Sequence, residues 1–98
     1  MLEASSIDGC LLVWRLPAGV PVKPIDLGNT KGWSLQVDGD LAGGTLTVMA
    51  SNNGVNFYPV DTIVTPGLYT PDDDYRFYAI AFESDDQYTY VTVTIYCY

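Results

Sequence analysis

Hydrophobic and polar positions alternate most regularly along residues 88–98. The odd-numbered positions are apolar, namely Val91, Val93, Ile95 and Cys97. The even-numbered positions carry tyrosine or threonine, namely Tyr88, Tyr90, Thr92, Thr94, Tyr96 and Tyr98. A period of two residues is typical of a β-strand with one buried face. The pattern predicts a strand whose aliphatic side chains join a core and whose tyrosines lie on the other face.

Similar signals along the rest of the chain predict about seven strands. The predicted strands are residues 10–16, 33–37, 45–50, 56–58, 61–64, 75–83 and 88–98. No stretch of helical length keeps the three- and four-residue apolar spacing of a helix. Several short strands separated by turn residues are typical of a sandwich or barrel. We therefore predict an all-β fold, an antiparallel two-sheet β-sandwich of Ig-like or jelly-roll-like type.

Turn residues between the strands indicate which strands form hairpins. The sequence Ser-Asn-Asn-Gly at 51–54 is the strongest signal, because Asn and Gly tolerate the positive φ of tight turns. The predicted hairpins join 33–37 to 45–50, 45–50 to 56–58, and 75–83 to 88–98. Pro59 places the short strand 56–58 at an edge or ends it, because proline cannot donate to a ladder.

Residues 17–31 differ from this pattern. They contain Pro17, Pro21 and Pro24 with two glycines, and they are long for a connection inside a compact domain. We divide the chain into residues 1–32, an N-terminal strand with an extended Pro/Gly-rich segment, and residues 33–98, the sandwich body. An extended arm can add to a neighbour's strand edge, and prolines reduce the entropy that the arm loses on ordering. Residues 1–32 are therefore predicted to anchor the protein to a partner. The alternative is that residues 10–16 are simply the first strand of the sandwich.

Length and charge narrow the functional classes. The 98 residues suit one domain, and they hold no histidine, the commonest general base and metal ligand. The net charge is −8, and residues 32–98 carry all of it, with nine acids and one base. Binding to phosphates requires the opposite sign, so nucleic acid and anionic membranes are disfavoured as partners. The acidic turns at 38–40, 72–74 and 85–86 are interpreted as solvated turns and not as Ca²⁺ ligands or paired catalytic carboxylates. We therefore predict no enzymatic activity, no metal and no cofactor.

Two cysteines, Cys10 and Cys97, lie near opposite ends of the chain. The longest early apolar run, residues 10–14, is too short for a secretory signal or a membrane span, so we expect no export segment. Disulfides are rare in the reducing cytosol, and we therefore expect two buried free thiols. A bridge between the two positions remains the alternative.

The residues from 33 to 60 resemble a known class of protein. The segments Trp-Ser-Leu-Gln-Val-Asp-Gly at 33–39, Gly-Gly-Thr-Leu-Thr-Val at 43–48 and Ser-Asn-Asn-Gly-Val-Asn-Phe-Tyr-Pro-Val at 51–60 are similar to small β-sandwich virion proteins of tailed bacteriophages. Such proteins are met mainly as capsid decoration, or cement, proteins and as modules of tails or fibres. The resemblance implies a structural protein of the virion that is assembled in the host cytoplasm. It would bind the major capsid protein on the outer surface of the capsid and stabilise the capsid. It would form a homotrimer there. The alternative is a carbohydrate- or receptor-binding module of a tail or fibre.

The candidate interface residues come from the N-terminal segment and from the tyrosine face. They are Trp14, Leu16, Pro17, Pro21, Pro24, Tyr88, Tyr90, Tyr96 and Tyr98. Tyrosine is enriched at protein interfaces, and its flat ring also stacks on sugars. Ordinary cross-strand pairing on a half-exposed sheet explains the same tyrosines without a partner.

Overall fold

Two antiparallel β-sheets pack face to face in the computed structural model. The structure describes residues 2–8, 11–28, 31–70, 75–86 and 88–98, with the backbone alone at Ile7 and Asp8. The strands are β1 (Ser5–Asp8), β2 (Leu11–Pro17), β3 (Ile25–Asp26), β4 (Trp33–Asp38), β5 (Thr45–Ser51), β6 (Tyr58–Ile63), β7 (Gly67–Tyr69), β8 (Phe77–Glu83) and β9 (Tyr90–Cys97). The described residues form no helix, and so none that could span a membrane. The predicted all-β, two-sheet sandwich is confirmed.

One sheet has five strands in the order β1-β2-β9-β4-β7, and the other has four in the order β3-β8-β5-β6. All strand pairs are antiparallel. Strand β9 lies at the centre of the five-stranded sheet, with Val93 opposite Trp14 on one side and opposite Val37 on the other. The strand that carries the C-terminal alternation is therefore the central strand of this sheet.

The core fills the space between the two sheets. The five-stranded sheet contributes Leu35, Val93 and Ile95, each at most 1 % exposed, and the four-stranded sheet contributes Leu46 and Phe82 at the same level. Alternation along each strand produces this arrangement, because successive side chains of a strand point to opposite faces. The aliphatic face predicted for residues 91–97 is buried as expected.

Two of the three predicted hairpins are wrong. Strand β5 pairs with β6 across the Ser51–Gly54 turn as predicted, but β6 is one strand at Tyr58–Ile63 in place of the two predicted at 56–58 and 61–64. Strands β4 and β5 belong to different sheets, as do β8 and β9. A turn that reverses the chain within one sheet and a turn that carries it across to the facing sheet use the same residues. The choice depends on which core face each strand completes, and that is a property of the assembled sandwich.

The Pro/Gly-rich segment packs along one side of the sandwich. The Gly19 N–H donates to the carbonyl of Phe82 at 2.8 Å, and β3 continues along the same edge of β8. The side chains of Val22 and Leu27 are buried, at 7 % and 4 % exposed. The segment therefore completes the edge of the four-stranded sheet and contributes to the core.

The first residues of the chain join this side to the five-stranded sheet. The Leu2 N–H donates to the Pro21 carbonyl at 3.0 Å, and the Lys23 N–H donates to the Leu2 carbonyl at 2.8 Å. Strand β1 then pairs with β2 at the edge of the five-stranded sheet. Residues 2–8 and 17–27 together connect the β1 edge of the five-stranded sheet to the β3 edge of the four-stranded sheet. The described N-terminal residues are therefore part of the sandwich.

Cys97 is disulfide-bonded, and no described cysteine is a free thiol. The expectation of a free thiol at this position is therefore wrong. Cys10, the other cysteine of the sequence, lies outside the described residues. The expectation rested on the usual redox state of a cytosolic protein, which carries no information about the neighbours of Cys97 in the fold.

Candidate docking face

The outer face of the five-stranded sheet is the surface on which the predicted tyrosines lie. Strand β9 turns Tyr90, Thr92, Thr94 and Tyr96 away from the core, since Val91, Val93, Ile95 and Cys97 are the buried alternates. The neighbouring strands add their own outward residues. The described side chains of this docking face are Ser5, Leu11, Val13, Arg15, Pro17, Ser34, Gln36, Asp38, Leu68, Tyr90, Thr92, Thr94 and Tyr96.

The strand register arranges these residues in rows across the sheet. Thr94 lies opposite Val13 on one side and Gln36 on the other, and Gln36 lies opposite Leu68 of the edge strand β7. Leu68 is 78 % exposed, which leaves a large apolar side chain at the margin of the face. Every side chain of the docking face is exposed or partly exposed in the described part of the chain, so these rows are accessible to a partner there.

Aromatic rings mark both ends of β9. The Arg15 guanidinium lies over the Tyr90 ring, 4.9 Å from its centroid, an arrangement that favours a cation against the ring face. At the other end, the Tyr96 and Tyr98 rings have centroids 6.0 Å apart and are tilted by 35°. The Tyr98 ring also lies against Gly32, where an added Cβ would come within 2.8 Å of the tyrosine oxygen. Glycine at position 32 therefore permits this placement of Tyr98.

The docking face is close to neutral, although the chain carries −8. Its described charged side chains are Arg15 and Asp38, one of each sign. Most of the described acids lie instead at one end of the sandwich, where the β4–β5 and β8–β9 connections meet through the Thr89 hydroxyl and the Asp40 carbonyl at 3.1 Å. This acidic end comprises Asp38, Asp40, Glu83, Asp85 and Asp86. The acidic end adjoins the docking face, since Asp38 belongs to both and Tyr90 lines one surface pocket with Asp38, Asp40 and Tyr88.

The predicted interface residues do not form one surface. Tyr90, Tyr96 and Pro17 lie on the docking face, with Pro17 directly opposite Tyr90, and Tyr98 flanks it. Tyr88 is 87 % exposed and lies in the β8–β9 connection at the acidic end. The remaining predicted residues are placed elsewhere.

Trp14 and Leu16 are in the core, at 1 % and 0 % exposed, so their assignment to an interface is corrected. They are the inward alternates of β2, and only unfolding would present them to a partner. Pro21 and Pro24 lie in the segment that completes the side of the sandwich, next to the contacts of Leu2. The outward residues of β2, Val13 and Arg15, were not among the predicted interface residues, although their alternation with Trp14 and Leu16 was the available signal.

The predicted acidic turn at 72–74 lies outside the described residues. Within the described chain, no group of three or more Cys, Asp or Glu side chains is placed to hold a metal ion. No protein-family model, curated protein or solved structure matches the chain.

Proposed function

We propose that the chain is a structural protein of a phage virion, a decoration protein that binds the major capsid protein through its docking face and stabilises the capsid. The observation that carries the proposal is a neutral, tyrosine-bearing open sheet on a protein of charge −8. The centres of protein interfaces are enriched in tyrosine and arginine and depleted in aspartate and glutamate. The resemblance of residues 33–60 to phage virion proteins supplies the kind of partner.

The small number of charged side chains on the docking face supports this orientation. An acidic surface pressed against a partner would lose the hydration of its carboxylates, at a cost that few pairings recover. The docking face keeps that cost low, because Asp38 is its one described acid, Arg15 stacks on Tyr90, and its other polar residues are mainly hydroxyls. The acidic end then remains in water, where its charge keeps virions from associating.

The size of the docking face indicates that one copy alone binds weakly. The five strands have three to eight residues each, and at about 3.4 Å per residue and about 4.8 Å between strands they present roughly 450 Å². A standard interface buries about 800 Å² on each partner. Copies that contact each other on the capsid would supply the missing area and bind with avidity, so we propose a homotrimer on the capsid.

Replacing Tyr90 and Tyr96 by alanine is expected to weaken binding to undecorated heads at least 30-fold. Each change removes a ring that is about half exposed, at 51 % and 54 %, and that would be buried by the partner. Loss of a hot-spot tyrosine costs about 2 kcal/mol, or roughly 30-fold in affinity. Co-sedimentation of the purified variant with heads, over a range of protein concentrations, measures the change.

Tyr58→Ala is the matched control, because Tyr58 is 69 % exposed on β6 of the opposite sheet. This variant is expected to bind heads within about twofold of the unaltered protein. Equal binding by the Tyr90/Tyr96 double variant and by the unaltered protein would show that the docking face is not the contact surface.

The oligomer is tested on intact virions by short amine- or carboxyl-reactive cross-linkers. We expect trimers of the chain as the main cross-linked product, since three copies around a symmetry axis present the docking faces together. The same reagent applied to the free protein at low micromolar concentration is the control, where monomers are expected. Virions that yield only monomers, with cross-links to the major capsid protein, would rule out the trimer.

A further inference from the structure

A cleft on the four-stranded side of the molecule combines amide side chains with tyrosine rings. It lies beside the turn between β5 and β6 and has a volume of about 360 Å³. The residues that give it its chemistry are Asn52, Asn53, Asn56, Tyr58 and Tyr75. Small-molecule sites span about 300 to 1,000 Å³, so the cleft suits a ligand of one or two rings.

The floor of the cleft is held rigid by Ser51 and Asn53. The Ser51 hydroxyl donates to Asn53 Oδ1 at 2.9 Å and accepts the Gly54 N–H at 3.0 Å. Asn53 Oδ1 also accepts the N–H groups of Val55 and Asn56, at 2.9 and 3.0 Å. A turn fixed by this many hydrogen bonds does not have to be ordered when a ligand arrives, which removes one cost of binding.

Other polar groups of the cleft are left available. The side chains of Asn56, Tyr58 and Tyr75 make no hydrogen bond within the described chain. The Asn52 carbonyl oxygen accepts the Arg76 N–H only at 3.4 Å, and its amide nitrogen donates to no described group. Free amides that both donate and accept, together with phenol hydroxyls, match the hydroxyl groups of a sugar.

The rings of the cleft supply apolar contact. Tyr58 is 69 % exposed and Tyr75 is 42 % exposed, so water covers ring surface that a flat ligand could cover instead. A pyranose presents a C–H face that packs on an aromatic ring while its hydroxyls point to the sides. Amides around exposed rings therefore fit both parts of a sugar.

The described lining of the cleft carries no charge. The nearest cation is Arg76, and it is occupied by Asp26 through Nε–Oδ1 and Nη2–Oδ2 contacts of 3.3 and 3.2 Å. The hydrogen bond from Arg76, with a second from the Gly28 N–H, lowers the pKa of Asp26, which keeps this pair ionised. The described lining offers no charge to pair with an ionic ligand, so we take the ligand to be neutral.

We infer that the cleft between Asn56, Tyr58 and Tyr75 binds a neutral pyranose, such as a terminal sugar of a glycan. The site is separate from the docking face, because it lies at the β5–β6 turn of the other sheet. A protein bound to a surface through the five-stranded sheet would leave this cleft open to water. The inference does not depend on the identity of the docking partner.

The test is a titration of the full chain with methyl β-D-glucopyranoside, methyl β-D-galactopyranoside, methyl α-D-mannopyranoside and N-acetyl-D-glucosamine. Saturation-transfer NMR detects binding, and the shifts of the asparagine side-chain amides locate it. We expect at least one of the four sugars to bind with a dissociation constant of about 1 mM, the range that one stacked ring and a few hydrogen bonds support. The shifted amides are expected to be those of Asn52 and Asn56. D-Glucuronate is expected to bind more weakly than glucose, because the chain is acidic.

Tyr58→Ala is expected to weaken sugar binding at least 10-fold, and Asn56→Ala at least threefold. Both side chains are exposed, so the fold should survive, and an unchanged backbone amide spectrum away from the cleft verifies it. Tyr88→Ala, at an 87 % exposed tyrosine in the acidic end, is the matched control and should bind sugar as the unaltered protein does. Absence of binding for all four sugars, or equal binding by the Tyr58→Ala and Tyr88→Ala variants, would overturn the inference. Because Tyr58→Ala should still bind capsids, failure of this inference is distinguishable from failure of the proposed function.

Discussion

Reduction of the disulfide at Cys97 is expected to lower the free energy of unfolding by about 4 kcal/mol. The sequence holds one other cysteine, Cys10, which lies 87 positions before Cys97. A bridge between these positions would close nearly the whole chain, and long loops restrict the unfolded state most. Urea unfolding with and without a phosphine reductant measures the change, which corresponds to about 20 °C in Tm.

Alanine variants separate the bridge from the packing of Cys97, which is 4 % exposed. If the two cysteines are partners, Cys10→Ala already removes the bridge, and adding Cys97→Ala removes only the packing of its sulfur atom in the core. Reductant should then leave the stability of Cys10→Ala unchanged. Two reactive thiols per chain, found in denaturant without reductant, would contradict the bridge.

Gly44→Ala is expected to destabilise the fold by about 3 kcal/mol. A Cβ at this position would overlap the backbone oxygen of Glu83 and lie 2.8 Å from Ser84 Cβ and 2.9 Å from the Leu41 oxygen. The β5–β8 ladder begins beside it, with Thr45 opposite Glu83, so the clash separates two central strands. Backbone atoms cannot move aside as a flexible side chain can. Thermal and urea unfolding of the variant measure the loss.

Gly43→Ala is the matched control one residue away. Gly43 has a φ of +74° but no heavy atom within 4 Å of its added Cβ. Its cost is therefore limited to the left-handed backbone conformation, about 1 kcal/mol. Equal losses for the two variants would show that the strands relieve the overlap at position 44 at little cost, and would contradict the prediction.

The two candidate sites were foreseen to different degrees. The alternation of residues 88–98 predicted that Tyr90 and Tyr96 share one outward face, because a strand has a period of two. It could not predict that Arg15 stacks on Tyr90, since those residues lie 75 positions apart and meet only through the pairing of β2 with β9. The cleft beside the β5–β6 turn could not be predicted from the sequence for the same reason. The turn at 51–54 was predicted, but the approach of Tyr75 to Asn56 and Tyr58 follows from packing.

By itself the sequence determined the local features of this protein: an all-β chain, the buried and exposed faces of β9, and the turn that joins β5 to β6. Those features depend on side-chain direction and turn conformation, which neighbouring residues control. Tertiary structure alone decided which strands share a sheet, that Trp14 and Leu16 are core, that residues 17–27 complete an edge, and that Cys97 is bridged. The physical reason is that these features depend on contacts between residues distant in sequence, and each strand's partner is selected by the burial of the whole core and not by its own pattern.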